Sequence, residues 1–301
     1  MTDISQFHKL LMLILLGLTL SAPASFAATK VYDLRNPDTE ITEPLSISQG
    51  GVLALQLAES DKAWFNDEPL FIGAGGRAII ALHRDDTEAV LRIISADGEE
   101  TVKSFAVQRR DYRIERIDGL PPAKVTAPRD PEVTARIRAE ARAIRKARER
   151  LDDRQDFLSG FIWPVKGRIS GVYGSQRVLN GEPKTPHYGV DVAVPTGTKV
   201  VAPADGIIIY TNPDMYYSGG TLVIDHGHGL SSAFLHLSKI DVAVGDRVKQ
   251  GQYVARVGST GRSTGPHLDW RMNLGTSTRI DPQLLVQPMQ VEQKTTNNKE
   301  E

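Results

Sequence analysis

Along most of this chain apolar and polar residues alternate in short runs, and only once do they recur at helical spacing. Val52–Leu57, Ala78–Leu82, Ala89–Ile94 and Val102–Val107 read as strands, because period-two runs of aliphatic and β-branched residues fit a pleated, half-buried surface. Between the last two, Asp97-Gly98 predicts a tight hairpin with both residues at positive φ. Residues 29–110 are therefore expected to form a small N-terminal β domain. Its histidine, His83, has no ligand partner nearby and reads as a paired core or surface side chain. Pro121, Pro122 and Pro128 then mark a linker. Beyond it Asp130 suits a helix N-cap and Pro131 the first helical position, with Val133, Ile137, Ala141, Ile144, Ala147 and Leu151 following at three- and four-residue steps. This predicts one amphipathic helix within a connecting region, 111–156, its apolar stripe docked on one of the β domains. Arg136, Arg138, Arg142, Arg145, Lys146, Arg148 and Arg150 on its other faces read as a solvated surface, the alternative being contact with an anionic partner.

From Phe157 to Met289 the pattern is again β. Lys199–Val201, Gly206–Tyr210, Thr221–Asp225, Ser231–Leu237, Tyr253–Val257 and His267–Asn273 are the strand candidates, separated by glycine-rich turns. Residues 290–301 are polar and read as a disordered tail. The whole is mainly β, with two β domains joined by an α-helix.

With 301 residues the chain has room for two modest domains. Its 36 lysines and arginines nearly cancel its 37 aspartates and glutamates, so no global field points to nucleic acid as partner. The absence of cysteine excludes disulfides, a thiol nucleophile, thiolate metal sites and a lipid-anchored cysteine. Any metal must therefore sit on histidines and carboxylates. At the start, His8 and Lys9 precede an apolar run, Leu10–Leu20, and the small-residue stretch Ser21–Ala28. This reads as a secretory signal peptide, residues 1–27, cleaved after Ala27. The run is short of the ~20 residues of a bilayer span, so export to the periplasm is expected, with no stable membrane insertion after processing.

Five of the seven histidines fall between 187 and 267. In Pro186-His187-Tyr188-Gly189-Val190-Asp191 the residue types argue for extended chain. In a straight strand His187 and Asp191 would lie ~13 Å apart, a distance that a bend at Gly189 can close. The segment Ser232–Ser238 places Ser232, Phe234 and His236 on one strand face. In His267–Asn273 alternation is strict: His267, Asp269, Arg271 and Asn273 share one face, expected to line a groove, and Leu268, Trp270 and Met272 the other. His226-Gly227-His228 has a metal-like spacing but lies among glycine turns. His226 reads as structural and His228 as a solvent-exposed loop residue.

Over residues 160–285 the sequence resembles the lysostaphin/LytM-type zinc metallopeptidases, which show a His-x-x-x-Asp segment, a later His-Leu-Ser segment and a Gly-Pro-His-x-His segment. Here these are His187–Asp191, His236–Ser238 and Gly265–Asp269, joined by turns such as Val244-Gly245-Asp246 and Gly258-Ser259-Thr260-Gly261. The resemblance implies an antiparallel, barrel-sandwich-like β peptidase domain over 157–289 and hydrolysis of peptidoglycan peptide cross-links by zinc-activated water. The N-terminal domain and helix look like the accessory part of some Gram-negative members. Carried over, His187 and Asp191 are zinc ligands, His236 and His267 catalytic, and Asp269 stands where the family has its third ligand, a histidine. That departure leaves open whether Asp269 binds zinc or pairs with Arg271. Arg271, Asn180 and Tyr217 are candidates for substrate contact, and Tyr216 and Tyr217 serve equally well as packing. Peptidoglycan stem peptides are the implied partner. The alternative is an inactive LytM-type domain that activates a cell-wall amidase or joins the division machinery.

Overall fold

The computed structural model describes residues 29–42, 44–119 and 130–289. The expected leader, 1–27, most of the proline-marked linker and the tail from 290 lie outside the described residues.

The first half is built from β1 (Lys30–Asp33), β2 (Ser46–Ser48), β3 (Val52–Gln56), β4 (Lys62–Phe65), β5 (Glu68–Pro69), β6 (Arg77–Ala81), β7 (Val90–Ile94), β8 (Glu100–Ser104) and β9 (Ala106–Gln108). Sheets β1–β3–β6 and β5–β4–β7–β8 enclose a core, and β2 pairs parallel with β9. β3 and β6 are apolar at almost every position because both of their faces are buried. Leu53, Leu55, Ala78 and Ile80 pack inside this half, whereas Val52, Ala54, Ile79 and Ala81 join the core of the second half, which holds Phe157, Phe234 and Trp270. The two halves therefore share one hydrophobic interior.

Two local expectations change. The run Val102–Val107 is broken at buried Phe105, where the chain leaves β7 to pair with β2. In the β7–β8 hairpin only Gly98 has positive φ (87°), and its N–H donates to the Ser95 carbonyl at 3.0 Å, so a longer turn replaces the two-residue one.

After β9 comes a strand that the sequence pattern did not announce, β10 (Ile114–Ile117). Helix α1 (Pro131–Ala147) follows, with the Asp130 carboxylate accepting from the Glu132 N–H at 2.8 Å. It stops short of Leu151, which is exposed. Its stripe is only half-buried, and it is held on the second half through polar contacts. Arg136 reaches the Asp214 carbonyl, and Glu140 accepts from the Tyr216 N–H at 3.0 Å. Arg148, expected on the solvated basic face, is instead buried at 8% exposure.

The second half contains β11 (Arg168–Gly171), β12 (Gln176–Leu179), β13 (Glu182–Pro183), β14 (Val190–Ala193), β15 (Lys199–Val201), β16 (Gly206–Met215), β17 (Gly219–Asp225), β18 (Leu230–Leu237), β19 (Lys239–Ile240), β20 (Arg247–Val248), β21 (Tyr253–Arg256), β22 (Leu268–Leu274) and β23 (Thr278–Ile280). The main sheet runs β11–β14–β22–β18–β17–β16–β20, antiparallel throughout, with β23 on β22. A smaller sheet, β15–β21–β19, brings Val200, Val254 and Ala255 into the core with Leu222, Ile224, Phe234 and Trp270. β10 lies parallel against β12, extending the β12–β13 hairpin.

Candidate metal centre

Strand register assembles the site. β14 and β22 are neighbours, with Asp191 directly opposite Asp269, so two side chains 78 positions apart in sequence share one sheet face. His187 precedes β14, anchored by its N–H to the Ser175 carbonyl (2.8 Å) and by its carbonyl to the Gly174 N–H (2.7 Å). The strand begins only at Val190, so the straight-strand separation of His187 from Asp191 does not arise. Gly189 serves closeness rather than curvature: a Cβ there would lie 2.7 Å from Asp269 Oδ1 and from the Trp270 carbonyl. Gly171 clears room likewise, since its Cβ would come within 2.3 Å of Asp191 Oδ2.

His187, Asp191 and Asp269 each offer a ligand atom, all within 4.8 Å of one another. His187 Nε2 and Asp191 Oδ1 face each other at 3.2 Å, yet both are buried and neither is aligned for a hydrogen bond. Two buried, unsatisfied polar atoms turned toward a common point suit a shared cation, because a buried group of this kind otherwise carries its full desolvation cost. Nitrogen with two carboxylate oxygens is a donor set that fits zinc.

Asp269 has a second partner. It is 2% exposed and takes a fork from Arg271, whose Nε lies 3.0 Å and 3.1 Å from its oxygens and whose Nη2 lies 2.6 Å from Oδ2. The pairing raised as an alternative to ligation therefore exists, and Arg271 is committed to Asp269 rather than free for substrate. A carboxylate offers about four lone-pair sites, so a fork on one side leaves the other available. Burial alone would raise the Asp269 pKa, but Arg271 outweighs it and holds the carboxyl below the usual range. For His187, burial pulls the pKa down, and Asp191 and Asp269 more than reverse this, leaving it raised.

Beside this cluster the rings of His236 and His267 lie 4.8 Å apart. His236 Nδ1 donates to the Thr260 carbonyl at 2.8 Å, and His267 Nδ1 to the Gly265 carbonyl at 2.8 Å. A carbonyl only accepts, so in both rings Nδ1 carries a proton, and in the neutral ring it is Nε2 that has the lone pair. His267 Nε2 is 3.9 Å from Asp191 Oδ1. Burial depresses the His236 pKa, favouring the neutral ring.

His236 does not share a face with Ser232 and Phe234 as alternation predicted. Those two lie in the core, opposite Met272 and Trp270. His236 has φ 62° beside a register shift between β17 and β18, and this left-handed residue turns the ring to the side of Asp269. The face of β22 keeps the expected pattern; Asp269 and Asn273 on it are buried, while His267 and Arg271 stay partly exposed.

His228 is not solvent-exposed. At 3% exposure, its ring packs between Phe71 and Phe157 at 5.1 and 5.2 Å. His226 is structural, as its place among the glycine turns implied: fully buried, its Nδ1 meets the Asp205 carbonyl and its Nε2 the Ser232 hydroxyl. Asn180 and Gly181 take φ of 49° and 80° as the turn joining β12 to β13. The Tyr217 ring is covered by Arg262 at 4.3 Å, and Tyr216 packs against it. Sequence reasoning missed Thr260 as a positioning residue: besides holding His236, its hydroxyl bridges the Gly220 N–H and the Leu237 carbonyl. The Gly258–Gly261 turn was the only hint.

The Peptidase family M23 profile matches residues 185–282. Over 113 residues the chain is 40% identical to the peptidoglycan DD-endopeptidase ShyA of Vibrio cholerae, covering 36% of this chain and 26% of ShyA. Over 89 residues it is 44% identical to ShyB of the same organism, covering 29% of this chain and 20% of ShyB. The matched segment thus spans about a quarter of one curated relative and a fifth of the other. A crystal structure of an M23 peptidase from Pseudomonas aeruginosa is similar across 81% of this chain and 96% of its own, at TM-score 0.57 and 29% identity. Residues 185–282, which contain His187, Asp191, His236, His267 and Asp269, form a peptidase family M23 domain.

Proposed function

We propose that this chain is a zinc-dependent endopeptidase, exported to the periplasm, that hydrolyses peptide cross-links in peptidoglycan. The supporting observation is the convergence of the unbonded His187 Nε2 and Asp191 Oδ1 with Asp269, next to two histidines whose Nε2 lone pairs are free. His187, Asp191 and Asp269 would hold the ion, which when bound supplies Lewis acidity toward a carbonyl and a water of lowered pKa. His236 and His267 are the groups suited to accept and return a proton at Nε2, and the Thr260 and Gly265 carbonyls keep both rings in the tautomer that this requires. Arg271 supplies the missing charge. Two carboxylates neutralise a divalent ion, and the adjacent guanidinium restores the net positive charge of a site with a single carboxylate.

One specific observation favours the second reading, a domain that binds and activates a cell-wall amidase: the Asp269 carboxylate is already engaged by Arg271. Digestion of purified peptidoglycan, analysed by mass spectrometry together with the zinc content of the protein, separates the two. The enzyme reading expects about one zinc per chain and cleaved cross-links, with His236→Ala retaining zinc and losing cleavage. A wild-type protein that cleaves no cross-links, and whose metal content Asp269→Ala leaves unchanged, overturns the enzyme reading and favours the second.

A further inference from the structure

A cavity of about 310 Å³, lined by none of the metal-centre residues, lies where the two β halves meet the segment after α1. Leu70, Phe71 and Ile79 form its wall from the first half, His228 and Leu274 from the second, and Arg148 comes from the end of the helix. Two of these residues lack partners. Arg148 is 8% exposed, its Nε has no hydrogen-bond partner, and no ion pair engages its guanidinium among the described residues. His228 is 3% exposed, and neither ring nitrogen is bonded. The charges that act on Arg148 are Arg279 and Arg271, both positive; with burial, they push its pKa down to about 9. Glu149 also borders the cavity, but its carboxylate is exposed and pairs with Lys146 at 2.8 Å.

A guanidinium is not neutralised inside a protein, and a buried charge is retained where something pairs with it. The planar fork of arginine matches an oxyanion edge with two parallel hydrogen bonds. Leu70, Phe71, Ile79, Leu151 and Leu274 give the wall a large apolar share, which suits an apolar body, and its other guanidinium, Arg150, is already paired with Asp152 and Asp225. We propose that this cavity binds a small aliphatic carboxylate, with its carboxylate on Arg148 and its hydrocarbon against Leu70, Phe71 and Ile79. Because the walls come from both halves and the helix, the bound carboxylate ties the first half and α1 to the M23 domain.

Thermal unfolding and calorimetry of the full chain test this with acetate, butyrate, hexanoate, phosphate and chloride at one ionic strength. Hexanoate and butyrate should raise the unfolding midpoint saturably and acetate less, with phosphate and chloride giving no specific response. Arg148→Met, which removes the unpaired charge but keeps an apolar stem, should fold with an unchanged or higher midpoint in the absence of carboxylate. It should bind hexanoate at least about tenfold more weakly, with Arg148→Lys in between. His187→Ala should leave the hexanoate response intact, which separates this cavity from any carboxylate binding at the metal centre. An equal response to chloride, a stronger one to phosphate, loss of the response in His187→Ala, or undiminished binding in Arg148→Met would overturn the assignment. Should Arg148→Met fail to fold, the wild-type ligand series and Arg148→Lys still decide it, since a site centred on the guanidinium requires weaker hexanoate binding in the lysine variant.

Discussion

At the scale of single residues, Asp269 and Arg271 behave as one unit. Removing Arg271 leaves a buried carboxylate without its counter-charge, and removing Asp269 strands the guanidinium. Arg271→Met should therefore destabilise the protein by about 3 kcal/mol, and Asp269→His alone should also be costly although it supplies a good ligand. The double variant Asp269→His/Arg271→Met keeps the total charge and should recover both stability and zinc binding, giving a coupling of more than about 1 kcal/mol in a double-mutant cycle. Additive single effects in denaturant melts would show that the two side chains act separately. His226 gives a pH prediction. Burial lowers its pKa from 6.5 to about 4, so between these values the unfolded chain takes up a proton that the folded one refuses. Stability is then fully present above pH 6.5 and is lost as pH falls toward 4, by an amount on the order of 3 kcal/mol. His226→Gln, which cannot titrate, should flatten that limb of the midpoint-versus-pH curve; an unchanged slope assigns the acid loss to other groups. That His187, Asp191, His236 and His267 belong together as candidates was legible in the sequence because they stand at motif spacing. The commitment of Arg271 was not. The same strand face permits it either to hold Asp269 or to point at substrate, and only side-chain geometry distinguishes the two.

At the scale of elements, β22 was readable almost residue for residue, since a central strand with Trp270 and Met272 in the core must alternate strictly. β18 was not, because its last turn of pattern is reset by the left-handed His236. A bulge depends on register against two neighbouring strands, which no local window contains. The same limit hid the role of Gly189, which is fixed by atoms of β22 about 80 positions later. Gly189→Ala should cost about 1–3 kcal/mol, because the Trp270 carbonyl beside the new methyl belongs to a rigid ladder, and should lower zinc content along with stability. A variant with wild-type midpoint and metal content would mean that β14 and β22 can move apart.

At the scale of the whole molecule, the sequence divides the chain into two β regions and a helix, and each of these is present. What it does not convey is their fusion: Val52, Ala54, Ile79 and Ala81 turn outward from one half into the core of the other, and the Arg110 guanidinium pairs at 2.8 Å with buried Asp281. Such pairings link positions far apart in the chain and leave no periodic trace in either. β10 bears on any attempt to isolate the M23 region. By sequence pattern it belongs to the connecting region, yet it covers the outer edge of β12, and Tyr112 just before it fills the notch at Gly174, where a Cβ would lie 2.0 Å from the ring. Residues 157–289 expressed alone would present β12 as a bare edge, a template onto which a second copy can add its own strand. That fragment should self-associate in sedimentation velocity as its concentration rises, whereas residues 111–289, which keep β10, should do so less; identical behaviour of the two would show that the edge is not what β10 guards. The boundary of the M23 domain as a soluble unit is then set by a strand lying outside the family's own sequence signature.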